Sequence, residues 1–158
     1  MRIIGIDPGL TKTGWGVIEV KGNSLFFVAC GTIYSSASDP LATRLQHFHE
    51  SLIEVIKIHK PQESAIEETF INVNPTSSLK LGHVRGALIL SLSLCNLKVS
   101  EYSTTAVKKT VTGVGRAEKH QVATMIKILL SSAICKTEDE SDALAVAICH
   151  NNHKVIKN

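Results

Sequence analysis

The hydrophobic period of this chain switches once, near residue 40, and that switch limits the available folds more than any other feature. Before it, apolar residues run as strands. Residues 2–7 are a short apolar run ending in Asp7-Pro8-Gly9, a strand followed by a turn. Residues 13–20 and 25–33 are two further strands, and Gly22-Asn23 between them supplies hairpin chemistry. After the switch, Leu41, Leu45, Phe48, Leu52, Val55 and Ile56 recur at helical spacing, and Pro61 closes that helix. A short strand over 64–68 ends in acids, a polar loop covers 72–76, and 77–97 reads as a long, largely buried helix. Residues 99–102 form a fifth strand. Helices over 104–110 and 117–130 are joined by Gly113-Val114-Gly115, and 138–150 is the last helix. An antiparallel meander followed by alternating helix and strand predicts an α/β fold. It has a five-stranded mixed sheet, three antiparallel strands then parallel crossovers, flanked by helices. In such sheets function collects at the carboxyl ends of strands.

The 158 residues contain no repeat, linker or low-complexity run, so a single domain over 1–158 is expected. At 44% hydrophobic, the chain fills a core without disulfides or a structural metal. Cys30, Cys95, Cys135 and Cys149 form no C-x-x-C pair and read as small buried hydrophobes in a reducing compartment, which argues against zinc. No secretory leader and no membrane-length apolar run are recognisable, so a cytoplasmic, soluble protein is expected. The net charge of +3 decides little, but its distribution is uneven. Lys108, Lys109, Arg116, Lys119 and Lys127 face a single acid, Glu118, between residues 104 and 127. A basic segment beside acids suits a site that attracts a polyanion, although charge alone favours a solvated helix face.

The acids carry more information. Asp7 ends an apolar strand, and Glu67 follows Ala65-Ile66 in the same manner. An acid ending a core strand is costly unless its charge is offset. The final helix opens Thr137-Glu138-Asp139-Glu140-Ser141-Asp142 and then turns apolar. Thr137 and Glu140 have capping-box spacing. Asp139 and Asp142, three apart, share a helical face, and Glu138 and Asp142, four apart, share one equally well. Spacing does not choose between Glu138 and Asp139. Each acid singly has a structural explanation, as a turn cap or a helix-dipole partner. Together they predict an oxygen-only site for a hard divalent cation, magnesium or manganese. Two such ions about 4 Å apart would support in-line hydrolysis of a phosphodiester without a covalent enzyme intermediate.

The segment Ile4-Gly5-Ile6-Asp7-Pro8-Gly9, with Thr13-Gly14-Trp15-Gly16-Val17, resembles the N-terminus of the RuvC family of Holliday junction resolvases. The resemblance continues in order through Ala65-Ile66-Glu67-Glu68-Thr69-Phe70, Ser78-Leu79-Lys80-Leu81-Gly82 with Arg85-Gly86, and Val107-Lys108. It extends over Thr110-Val111-Thr112-Gly113-Val114-Gly115, Ala117-Glu118-Lys119 and Asp139-Glu140-Ser141-Asp142-Ala143-Leu144-Ala145. It implies an RNase H-like fold and a homodimer that nicks opposite strands of four-way junction DNA in recombination and repair. The expected cofactor is magnesium, two ions per site, with manganese able to substitute. The family's catalytic and metal-binding acids fall on Asp7, Glu67, Asp139 and Asp142, so the resemblance selects Asp139 over Glu138. It places a base-stacking aromatic at Phe70 and DNA-contacting lysines at Lys108 and Lys119. Arg116 adds charge to the same basic window and is expected to bind DNA. A RuvA–RuvB branch-migration complex is the implied partner. The chain ends at Asn158, short of some members' tails, which leaves tail-dependent contacts open.

Four other readings are distinguishable. Asp7-Pro8-Gly9 through Gly14 is similar to the phosphate loop of actin-like sugar kinases, which need two such domains around ATP. Gly113-Val114-Gly115 lacks the following G-K-[ST] of a phosphate-binding loop. A YqgF-like nuclease shares the first aspartate but matches the Phe70 segment and the last helix less well. A non-catalytic junction-binding module would lack acids at some of the four positions, and here all four are filled.

Overall fold

The computed structural model describes residues 1–69 and 74–156, the last two of these as backbone only. Five strands, β1 (Arg2–Asp7), β2 (Lys12–Lys21), β3 (Ser24–Tyr34), β4 (Glu63–Glu67) and β5 (Val99–Tyr102), form one sheet in the order β3-β2-β1-β4-β5. β1 pairs antiparallel with β2, and β2 with β3, while β4 runs parallel to both β1 and β5. The helices are α1 (Leu41–His59), α2 (Pro75–Leu94), α3 (Thr104–Thr112), α4 (Lys119–Leu129) and α5 (Glu138–Ile156). This is the mixed α/β architecture expected from the change of period.

Strand alternation divides the core into two layers. Ile4, Ile6, Val17 and Ile66 face α1 and α2 and pack with Phe48, Leu52, Val84 and Leu88. Ile3, Ile18 and Ala65 face the other way, onto Leu144, Ala145, Val107, Val122 and Ile126 of α3, α4 and α5. Asp7 is two residues on from Gly5 and four from Ile3, and Glu67 is two on from Ala65. Both acids therefore fall on the α5 side of the sheet. The parallel register pairs Ile6 with Ile66, which brings the ends of β1 and β4 level.

The helix ends show where the sequence reading was loose. α1 stops at His59 because Lys60 adopts a left-handed conformation (φ 48°) and its N–H closes onto the Ile56 carbonyl. Part of the expected 72–76 loop is helix. Asn74 caps α2, its side chain accepting from Thr76 N (3.0 Å) and Ser77 N (3.3 Å), and Pro75 sits in the first turn. At the other end α2 finishes at Leu94 rather than 97. Asn96 turns left-handed (φ 59°), and Leu97 N bonds back to the Leu92 carbonyl, burying Leu97 beyond the helix. Leu79, Leu90 and Leu94 of α2 and Ile58 of α1 remain exposed.

Candidate active site

Asp7, Glu67 and Asp142 line one cleft of about 170 Å³, together with Thr104, Lys108 and Lys119. Two of the acids come from adjacent parallel strands, and the third comes from the start of α5. A gap in the sheet's side chains brings that helix so close. Gly14 is the cross-strand partner of Asp7, and a Cβ there would lie 2.1 Å from the Asp139 carbonyl oxygen. Gly5 pairs with Gly16, and a Cβ at Gly5 would lie 2.1 Å from the Ala143 carbonyl oxygen. These three glycines form a floor onto which the α5 backbone is laid directly. The floor sets Asp139 and Asp142 beside Asp7.

The first turn of α5 is tied down as well. Glu140 N donates to Thr137 Oγ1 at 3.2 Å, as the capping-box spacing predicts. The reciprocal half differs. The Glu140 carboxylate accepts from Lys136 N at 2.6 Å and from Thr32 Oγ1 at 3.4 Å, so it reaches to β3 and to the residue before the cap. Glu140 is buried, and Glu138, the residue that spacing left in competition with Asp139, is exposed and paired with Lys119 Nζ at 3.4 Å.

The cluster is electrostatically unfavourable without a cation. Burial pushes Asp7 up to about 8, and the charges of Glu67, Asp142 and Asp139 add to this while Lys119 opposes it. Burial also raises Glu67, against a hydrogen bond donated by Thr104 Oγ1 to Oε1 and the charge of Lys108. Asp142 is pushed up to about 6 by burial, with Lys119 pulling it down and Glu67 and Asp139 pushing it up. Among the described residues, no three of these acids bring carboxylate oxygens within 4.8 Å of one another. Mutually repelling carboxylates with oxygen-only donors fit a hard divalent cation.

Lys108, one turn beyond Thr104 on α3, and Lys119, at the start of α4, reach the cleft that the basic window led us to expect. Arg116 is exposed in the α3–α4 connection and is not among the cleft's lining residues. Phe70 lies outside the described residues. Three contributors were missed by sequence reasoning. Thr104 holds Glu67. Arg85 Nε donates to the Glu67 backbone oxygen at 3.1 Å while its guanidinium pairs with Glu101. The glycine floor is the third. Arg85-Gly86 belongs to the motif series quoted above, but nothing in the chain links it to β4.

The sheet order, the helices on both faces and an acid cluster at the carboxyl ends of two central strands define a nuclease of RNase H-like fold. The family model described as crossover junction endodeoxyribonuclease RuvC matches residues 3–150. Crossover junction endodeoxyribonuclease RuvC of Xanthobacter autotrophicus is 54% identical over 154 residues, spanning 98% of this chain and 91% of its own length. The protein of the same name from Azorhizobium caulinodans is 53% identical, again covering 98% and 91%. Among solved structures, T. thermophilus RuvC in complex with Holliday junction substrate superimposes with a TM-score of 0.92 at 29% identity, covering 99% of this chain and 96% of that one. The chain belongs to the RuvC family.

Proposed function

We propose that this protein is a Holliday junction resolvase, a structure-specific endodeoxyribonuclease that nicks opposite strands of four-way DNA junctions in recombination and repair. The observation that carries the reading is the convergence of Asp7, Glu67 and Asp142 in one cleft beside Lys108 and Lys119, in a chain of this family. Asp139 stands next to them on the glycine floor. The four acids would hold divalent cations, magnesium with manganese as substitute and two ions per site. When bound, these supply charge neutralisation and an activated water for phosphodiester hydrolysis.

The chain's own residues prepare the site for this. Thr104 Oγ1 donates to Glu67 Oε1, and the Glu67 carboxyl also meets that of Asp7. Arg85 and the β4–β5 pairing hold the backbone beneath Glu67. Lys108 and Lys119 offset part of the acid charge and stand ready for the DNA phosphates, and Arg116 extends the positive surface along the α3–α4 connection. Phe70, three residues beyond the end of β4 in sequence, is proposed to stack on the unpaired bases of the junction centre, where stacking contributes about 1–3 kcal/mol per base. The exposed leucines of α2 are proposed as the contact with a second copy, since two symmetric nicks call for a two-fold dimer. A branch-migration complex of RuvA–RuvB type is the proposed partner. Among the described residues no helix is long and apolar enough to cross a membrane, and a cytoplasmic location is proposed.

The direct test is cleavage of a synthetic four-way junction beside plain duplex of the same sequence, with and without magnesium. Cutting confined to the junction and dependent on the metal is expected; equal cutting of duplex would contradict the reading. Two variant series refine it. Asp139→Asn should lower junction cleavage by at least roughly a hundredfold, the scale of losing one preorganised electrostatic group, while Glu138→Gln stays close to the parent. A larger loss from Glu138→Gln than from Asp139→Asn would return the choice to Glu138. Phe70→Ala should cut poorly while binding metal as the parent does, measured by isothermal titration calorimetry. A defect confined to metal affinity would remove the stacking role.

A further inference from the structure

Cys30 and Cys135 are separated by 105 positions, yet their sulfurs lie 4.0 Å apart. Cys30 is on β3, at the sheet edge, and Cys135 is on the connection between α4 and α5. A third ligating group meets them. Glu140 Oε2 is 3.6 Å from Cys30 Sγ, and one ligand atom from each of the three residues lies within 4.8 Å of the others. Among the described residues this is the one group of ligating side chains so tightly converged. Glu140 is buried, while a recess of about 290 Å³ lined by Cys30, Glu140, Thr32 and Lys136 opens the cluster to the surface.

The spacing distinguishes two chemistries. A disulfide needs its sulfurs at about 2.05 Å, so this pair would have to close by about 2 Å. A tetrahedral zinc ion with Zn–S of about 2.3 Å and Zn–O of about 2.0 Å sets its ligand edges near 3.8 Å for S···S and 3.5 Å for S···O. The observed 4.0 and 3.6 Å match the second pattern. The donor set also differs in kind from that of the catalytic cleft. Two sulfurs and one carboxylate select a borderline-soft cation, whereas the cleft's oxygens select a hard one.

We propose that Cys30, Cys135 and Glu140 form a second metal site, for a zinc-class divalent cation, with its fourth position filled by water from the open recess. Each thiol that binds gives its proton to solvent, and no oxidant is involved. The ion joins β3 to the α4–α5 connection and to the first turn of α5, adding a fastening at the helix start that the Thr137 cap alone does not provide. Binding here is independent of the cleavage chemistry.

Cobalt(II) titration of the full, reduced chain in excess magnesium tests this. A thiolate-to-cobalt charge-transfer band that saturates at one equivalent is expected, with the intensity of two thiolates. Asp7→Asn should keep the band, and Cys135→Ser and Cys30→Ser should each diminish it. Zinc affinity, measured against a chromophoric chelator, should fall more than about tenfold in Cys135→Ser, since even groups that only support a ligand are worth that much. One equivalent of zinc should raise the melting temperature of the parent and leave that of Cys135→Ser unmoved. Absence of the band in the parent, or its persistence in the double variant Cys30→Ser/Cys135→Ser, would overturn the site. Cys135 lies in a connection outside the helices, so its variant reads the site even where Cys30→Ser fails to fold.

Discussion

In the absence of divalent cations at pH 8, Asp7→Asn is expected to be more stable than the parent, and with magnesium present it is expected to fail to cut junctions. Asp7 has an ordinary value of 3.8 and is held at about 8 in the folded chain. A carboxyl raised in this way favours folding when protonated. Its contribution is fully present below about pH 4 and is lost as pH rises through about 8. The metal-free parent should therefore weaken across that interval. Asn keeps the shape and the neutral state at every pH and escapes the loss. The gain at pH 8 should be on the order of 3 kcal/mol, or roughly 10 °C in melting temperature for a domain of this size. At pH 4 the two proteins should melt nearly together. Saturating magnesium should narrow the gap at pH 8, because the cation relieves in the parent what the substitution removes. Melting curves at the two pH values, with chelator and with magnesium, measure all of this beside a cleavage assay. Junction binding in gel shifts should survive, since the positive surface is untouched. An Asn variant that melts lower than the parent at pH 8, or that still cuts, would refute the account of Asp7.

A second large effect is expected at a residue that touches no substrate. Gly5→Ala adds a methyl 2.1 Å from the Ala143 carbonyl oxygen and 2.6 Å from Ala147 N, both backbone atoms of α5. Neither can swing aside as a side chain would, so the helix must lift from the sheet. The overpacking cost should reach about 3 kcal/mol or more, read by urea denaturation. Gly14→Ala adds its methyl 2.1 Å from the Asp139 carbonyl oxygen, at the end of the helix that carries the acids. There the cleavage loss should exceed what the loss of stability accounts for. Gly82 and Gly86, within α2, meet nothing within 4 Å of an added Cβ and serve as controls. Ala at either should stabilise by up to about 1 kcal/mol through helix propensity. If Gly5→Ala and Gly86→Ala behaved alike, the close approach of α5 to β1 would not be a real constraint.

These two residues also mark the limit of what sequence conveys. Asp7 and Glu67 were legible because an acid closing an apolar strand stands out against its neighbours, and the alternation of helix and strand put both at carboxyl ends. Asp139 was not separable from Glu138 by spacing, because both choices lie on a face with Asp142. What differs between them is visible only in the folded chain: the Asp139 backbone lies against Gly14, and Glu138 is exposed and paired with Lys119. The glycines themselves read as weak points in strands, since nothing local says that a helix more than a hundred residues later rests on them. The meeting of two of the cysteines was hidden for the same reason. Ligand spacing is a local signal, and Cys30 and Cys135 meet only through the packing of α5 against β3. The ends of α2 were misplaced more simply, because the Asn74 cap and the left-handed Asn96 outweigh an apolar run that continues to Leu97.

The dependence of the cleft on α5 has a bearing on how the protein is made. Asp7 is made with β1, and Asp139 and Asp142 only with α5, after all the other described strands and helices. A polypeptide interrupted anywhere before residue 139 carries two of the four proposed metal-binding acids and an uncovered glycine floor. On the proposed assignment of the acids, nicking activity waits for α5, and a product that stops short of that helix is expected not to cut DNA. An enzyme proposed to break both strands of a chromosome crossing gains from having its last helix, rather than its first strand, decide when the active centre exists.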